Sequence, residues 1–248
     1  MLWYKAWLET RSRFLTSLAT LIIFCSLFVH HALYISCLNT FPCPEEVRHS
    51  EWRSEFHFLL FVNQQYVVIM WILAVVLLGM GGLVREKALG TSSLTLTLPV
   101  SRVRLMLVRA AMGVFQAIVL GVLPWLAVLV ISLRANVPIS IKQVGSYALL
   151  LVGGGLIYFA MAVLVSSLVP GEYTAPALAF GFVLLAAMLF DNWLRRFNVW
   201  RLVTGDLSID RNTFLLSAHL PWLGILASLS VAGVFLLASI LLIETRDF

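Results

Sequence analysis

The sequence predicts an all-α polytopic membrane protein, a single transmembrane domain over residues 1–248 built as a six-helix bundle. Three observations predict it. Hydrophobic residues fill 61% of the positions and charged residues 12%, against roughly 45–50% and 25% in soluble domains, and mean hydropathy is +0.97. Six apolar runs can each cross a hydrocarbon core of about 30 Å, which takes roughly 20 helical residues. Basic residues flank those runs rather than interrupt them, so the net charge of +5 reads as cytoplasmic anchoring and not as nucleic-acid binding.

The chain opens on Met1–Arg13, with Lys5, Arg11 and Arg13 against Glu9. Trp3, Trp7 and, one turn on, Arg11 share a helical face, which suits an N-terminal interfacial helix lying among the headgroups before the chain turns into the membrane. An ordinary aromatic anchor accounts for them equally well. The first span is placed at 14–36. A secretory signal peptide begins similarly, but no small-x-small cleavage site follows, and Tyr34 stands where a lipoprotein motif ahead of Cys37 wants leucine. Cys37 and Cys43, either side of Phe41-Pro42, are a candidate disulfide if that side is oxidising. Cys25 lies within the apolar run, and the three make no metal spacing.

The second span is placed at 58–83 and the third at 110–133, with a basic segment over 84–109 between them. Pro124 predicts a kink in the third. Gly113, Ala117 and Gly121 recur every fourth residue on one of its faces, as small residues do where helices pack closely in lipid. The fourth span, 145–169, is thinned by Gly153-Gly154-Gly155. Pro170-Gly171 predicts a tight turn into the fifth, 174–190, which carries its own small pair, Ala177 and Gly181. Residues 191–216 follow: in DNWLRRFNVWRLV, Trp193, Phe197 and Trp200 oppose Arg195, Asn198 and Arg201, the pattern of an amphipathic interfacial or re-entrant helix. The sixth span is placed at 217–243.

An even number of spans puts both termini on one side. Three basic residues precede the first span and five lie between the second and third, where the positive-inside bias acts most strongly, so both termini are expected in the cytoplasm.

The segment between the second and third spans carries the most information. Arg85, Glu86 and Lys87 leave the apolar run, Gly90 and Thr91 break it, Leu94, Leu96 and Leu98 supply a small apolar face, and Pro99 with Ser101 starts a new helix through Arg102, Arg104 and Arg109. Its pattern, E-K-x-x-G-T-x-x-L-x-L-x-L-P-V-S-R over 86–102, resembles the first cytoplasmic loop of the type-two ABC exporter permeases. Ser92-Ser93 stands where that family more usually has leucine followed by an acidic residue. The resemblance implies a coupling helix gripped by a separate cytoplasmic ABC ATPase through Glu86, Gly90, Thr91, Leu98, Pro99 and Arg102. It also implies a second permease half, identical or not, an N-terminal elbow helix, short re-entrant helices between spans five and six, and a multi-pass location in a cell membrane such as an inner membrane. By the same implication ATP and Mg are bound by the partner, and this chain is not itself an enzyme.

Other chemistry is poorly supported by the residues. The sequence contains no G-x-x-x-x-G-K-[ST], and its longest non-membrane segment is about 26 residues, too short for a nucleotide-binding domain. H-E-x-x-H is absent. Glu45-Glu46 lacks a partner arginine at the fourth position, where Ser50 stands, so an intramembrane enzyme is disfavoured. No metal site is expected: His30 and His31 are adjacent and point apart on a helix, while His49 and His57 lie in or beside a charged loop. Ion relays usually place acidic or basic side chains inside spans, and none lies well inside one here. Asn63, Gln64, Gln65 and Gln116 are the polar residues at depth, as path-lining groups or, more often for such amides, as helix–helix hydrogen bonds. A non-transporting membrane scaffold or assembly subunit is the alternative to the exporter. Lipid is a partner under every reading.

Overall fold

Lipid offers no hydrogen bonds to an exposed backbone, so each apolar run must satisfy its own N–H and C=O groups as a helix. The computed structural model describes residues 2–38, 45–80, 101–134, 139–169, 174–193, 198–210, 213–217 and 219–245, with backbone alone at 33–38, 45–55, 102, 175, 184, 186–193 and 243–245. Among these residues lie seven helices: α1 (Leu2–Leu38), α2 (Glu45–Gly79), α3 (Arg102–Arg134), α4 (Ile141–Leu168), α5 (Thr174–Trp193), α6 (Val199–Thr204) and α7 (Trp222–Thr245). Five of them, α1 to α4 and α7, are long and apolar enough to span a membrane among the described residues. The predicted fifth span coincides with α5, an apolar helix of 20 residues whose second half is described by its backbone only.

Two expectations are corrected at the ends of these helices. The first is the separate N-terminal elbow. Trp3, Trp7 and Arg11 belong to α1, which runs unbroken for 37 residues because neither glycine nor proline interrupts 2–38. Trp7 meets Phe14 edge to face at 5.6 Å, joining the N-terminal turns to the apolar run. At 1.5 Å per residue α1 is about 55 Å long, well beyond a bilayer core. The second is the charged loop before span two. Residues 45–55, which include His49, are already helical in α2. Pro44 directly precedes that helix, Glu45 and Glu46 suit its positive end, and no glycine or proline follows before Gly79. Helix α3 passes through Pro124 without ending there.

The central helix is α4, which packs against α2, α3, α5, α6 and α7. Its glycines make this approach feasible. A Cβ at Gly155 would run into the six-membered ring of Trp71, itself fully buried on α2. The Trp71 indole donates to the Ala117 carbonyl of α3 at 3.1 Å, so one ring ties three helices together. The small-residue face of α3 is used in the same way: Ala117 is fully buried, and Gly113 lies under the Phe159 ring of α4. The small pair on α5 is not. Ala177 is exposed, and a Cβ at Gly181 would meet nothing within 4 Å. The apolar side chains turned outward, including Leu27, Phe115, Phe182 and Leu237, are 53–64% exposed. In water such faces would aggregate, whereas lipid solvates them.

The amphipathic helix expected through 191–203 is also corrected. Helix α5 continues to Trp193, and a new short helix starts at Val199 because Asn198 caps it, its side-chain oxygen accepting from the N–H groups of Trp200 at 2.9 Å and Arg201 at 3.4 Å. Asn198 is therefore buried at a cap and does not stand on a polar helix face. Leu202 and Val203 are buried as well, against Gly154 of α4. Gly205, at φ 84, closes α6 in the left-handed region that glycine alone adopts without strain. The chain then doubles back through an isolated antiparallel bridge between Ile209 and Leu216.

Candidate functional site

The segment that carries the sequence motif lies between Met80, after α2, and Ser101, before α3. Glu86, Gly90, Thr91, Leu98 and Pro99 lie outside the described residues, and only the backbone of Arg102 is described, as the first residue of α3. The predicted helix start is found here: the Ser101 hydroxyl accepts from the Arg104 N–H at 3.4 Å, and the Leu105 N–H reaches the Ser101 carbonyl at 3.1 Å.

What the structure adds is how the two helix ends that frame the loop are held. The last carbonyls of a helix have no intrahelical donor and require one from elsewhere. At the end of α2, Arg13 of α1 donates to the Leu77 carbonyl at 3.2 Å, and the one hydrogen of the Ser166 hydroxyl of α4 is shared between the Gly79 carbonyl at 3.2 Å and its own helix's Val163 carbonyl at 2.9 Å. A cationic donor at a helix C-terminus also complements its negative end. The α2 terminus is thus clasped between α1 and α4.

The first half of α3 is tied to the same α1. Arg109 pairs with Glu9 at 2.8 Å, Lys5 lies 3.7 Å from the other Glu9 oxygen, and the Gln116 amide donates to the Thr10 hydroxyl at 2.7 Å. Arg109 is only 11% exposed, so the Glu9 contact is screened less than a surface pair. Apart from the i,i+4 pair of Lys5 and Glu9, none of these contacts is visible in sequence spacing, since their partners lie 64 to 106 residues apart. The one local sign is a polar residue at the rim of each apolar run. Replacing Arg13 by alanine is expected to lower stability by about 1 kcal/mol, since the site is part-exposed and one charge-assisted hydrogen bond is lost; thermal unfolding in detergent measures it.

The amides at depth fall at separate contacts. Gln64 donates to the Val203 carbonyl at 2.8 Å and so docks α6 on α2, while Gln116 joins α3 to α1. Gln64 precedes Trp71 by seven residues, about 10 Å along the axis, and Trp71 is level with Ala117 beside Gln116. Asn63 is fully buried near Cys25, its amide making no hydrogen bond of ordinary geometry, and Gln65 is half-buried. Within one chain these four do not converge on a single polar lining. Of the candidate disulfide, Cys37 has its backbone in α1 with its side chain outside the described residues, and Cys43 lies wholly outside them.

At the opposite end of the bundle, Gln143 of α4 clamps the returning strand. Its Nε2 donates to the Leu216 carbonyl at 2.9 Å and its Oε1 accepts from the Leu216 N–H at 3.1 Å. The turn between Ile209 and Leu216 places Phe214 at φ 52, a left-handed conformation that costs a non-glycine residue roughly 1–2 kcal/mol. Phe214 packs edge to face on Phe58 at 5.0 Å.

Compared with known proteins, residues 8–200 match a family model described as ABC-2 family transporter protein. No curated protein matches the chain.

Proposed function

The chain belongs to the ABC-2 family of transporter proteins, a multi-pass membrane permease, and from that membership we propose that it is the transmembrane half of an ATP-driven exporter. Permeases of this family generally work with an ATPase subunit. A separate cytoplasmic ABC ATPase binds ATP and Mg, hydrolyses ATP, and grips the loop over 84–109 through Glu86, Gly90, Thr91, Leu98, Pro99 and Arg102. A second permease half completes the assembly. Both termini lie in the cytoplasm, and substrate moves outward from the cytoplasm or the inner leaflet.

The observation that carries this reading is the junction of motif and scaffold. In the sequence the motif stands between α2 and α3; the end of α2 is tied to α1 through Arg13 and to α4 through Ser166, and α3 is tied to α1 through Arg109 and Glu9. A rigid body pulling on that loop therefore acts on α1 and on the central α4, which touches most of the bundle.

Affinity purification of the chain from its native membrane tests the proposal. It should bring down, in stoichiometric amount, a protein bearing G-x-x-x-x-G-K-[ST], whose hydrolysis of ATP in lipid depends on the chain. Recovery of the chain alone, or with oxidoreductase or protease subunits, would favour the scaffold or the enzyme. Orientation is tested separately. A cysteine introduced at Ser92 in a Cys-free background should resist an impermeant thiol reagent in intact cells and react once the membrane is opened; labelling in intact cells would reverse the topology.

A further inference from the structure

A cavity of about 770 Å³ opens at the end of the bundle opposite the motif loop, and it lies within the usual size range of small-molecule sites. Its walls come from four parts of the fold: the start of α2 (His57), the second half of α3 (Trp125), the first turns of α4 (Lys142, Tyr147) and the returning segment with the start of α7 (Phe214, Trp222). We infer that it binds an anionic amphiphile, a molecule with an acidic headgroup and an extended apolar body.

The apolar side of the cavity is aromatic. Trp125 and Tyr147 stack on each other with centroids 4.5 Å apart and planes within 6°, two buried rings whose accessible edges form a fixed, uncharged part of the lining. Phe214, held in the left-handed region, faces the same space from the returning segment, and Trp222 stands 56% exposed at the mouth. The polar part lies together at one place. Ser140 caps α4 and takes up the Lys142, Gln143 and Val144 N–H groups, so the helix start offers the cavity the positive end of its dipole and not free donors, and the Lys142 ammonium in the first turn supplies the cation. No Asp or Glu is among the described residues that line the cavity. A cation and a helix N-terminus beside aromatic walls, with no carboxylate among the described lining residues, complement an acidic head on an apolar tail. The placement agrees: Trp and Lys at span ends mark the boundary between headgroups and hydrocarbon, where an amphiphile is already oriented. The site stands on this cavity alone and not on ATPase docking, so the failure of either leaves the other untouched.

The test uses the full chain in phosphatidylcholine nanodiscs. Dibromostearate, whose bromines quench nearby tryptophans, is titrated beside its uncharged methyl ester. Saturable quenching by the acid, at least about tenfold tighter than by the ester, is expected. Lys142→Glu should weaken the acid by about tenfold or more and leave the ester unchanged. Gly145→Phe should remove the saturable component, because Gly145 lies along the cavity and a Cβ there would meet nothing within 4 Å. Both positions are exposed, and unchanged unfolding temperatures confirm that the variants are folded. A second arm replaces the probe by nanodiscs of brominated phosphatidylglycerol or brominated phosphatidylcholine. Lys142-dependent quenching by the phosphatidylglycerol identifies a membrane-lipid headgroup as the source, and by the free acid alone a diffusible amphiphile. Equal quenching by acid and ester, or quenching indifferent to both substitutions, overturns the inference.

Discussion

Leu98→Asp is expected to abolish co-purification of the chain with its ATPase while leaving the helical bundle folded. In the proposed assembly Leu98 enters a groove of the partner, where an aspartate would be desolvated without a counter-charge. A buried, uncompensated carboxylate costs on the order of 3–5 kcal/mol, a loss of two orders of magnitude or more in affinity. The bundle is expected to be spared because position 98 lies outside every apolar span of the sequence, between the end of α2 and the start of α3, while Trp71, Phe159 and Ala117 hold the core. Arg102→Ala should act more weakly, by under about 1 kcal/mol, as a charge at the rim of a contact does. Co-purification and ATP hydrolysis in lipid are the measurements. A Leu98→Asp protein that keeps both at wild-type level would remove the main support for ATPase coupling.

Gly155→Ala is expected to be the most damaging of the single-methyl additions inside the bundle. The added Cβ would overlap the Trp71 ring, whose opposite commitment, the indole hydrogen bond to Ala117, leaves it little room to retreat. Overpacking of this kind costs about 1–3 kcal/mol. Gly181→Ala on α5 supplies the comparison, since nothing lies within 4 Å of the new atom, and its effect should stay within about 0.5 kcal/mol. Thermal unfolding of both variants in the same detergent checks the pair. Equal stability would mean that Trp71 and α4 do not pack as described.

Much of this architecture follows from local features that any part of the sequence carries by itself. Apolar length fixes where α1, α2, α3, α4 and α7 run, because a spanning backbone has no choice but helix. Pro170 ends one helix and Pro221 opens another, and Ser101 and Ser140 mark two starts by side-chain capping. The motif over 86–102, with family membership over 8–200, is likewise a property of the linear sequence.

The tertiary structure decided what depends on partners distant in the chain. Unbroken helix through 2–38 needed only the absence of breakers, yet the elbow reading missed it because Trp and Arg at span ends look alike in both geometries. Asn198 reads as one more polar residue on a helix face until its cap geometry and its burial show otherwise. The clasp of α2 by Arg13 and Ser166, the docking of α6 by Gln64 and the grip of Gln143 on Leu216 each join a side chain to a backbone group of another segment. A backbone carbonyl carries no residue-type signal, so composition and spacing cannot point to it. Only the packing of the helices against one another brings those groups within reach.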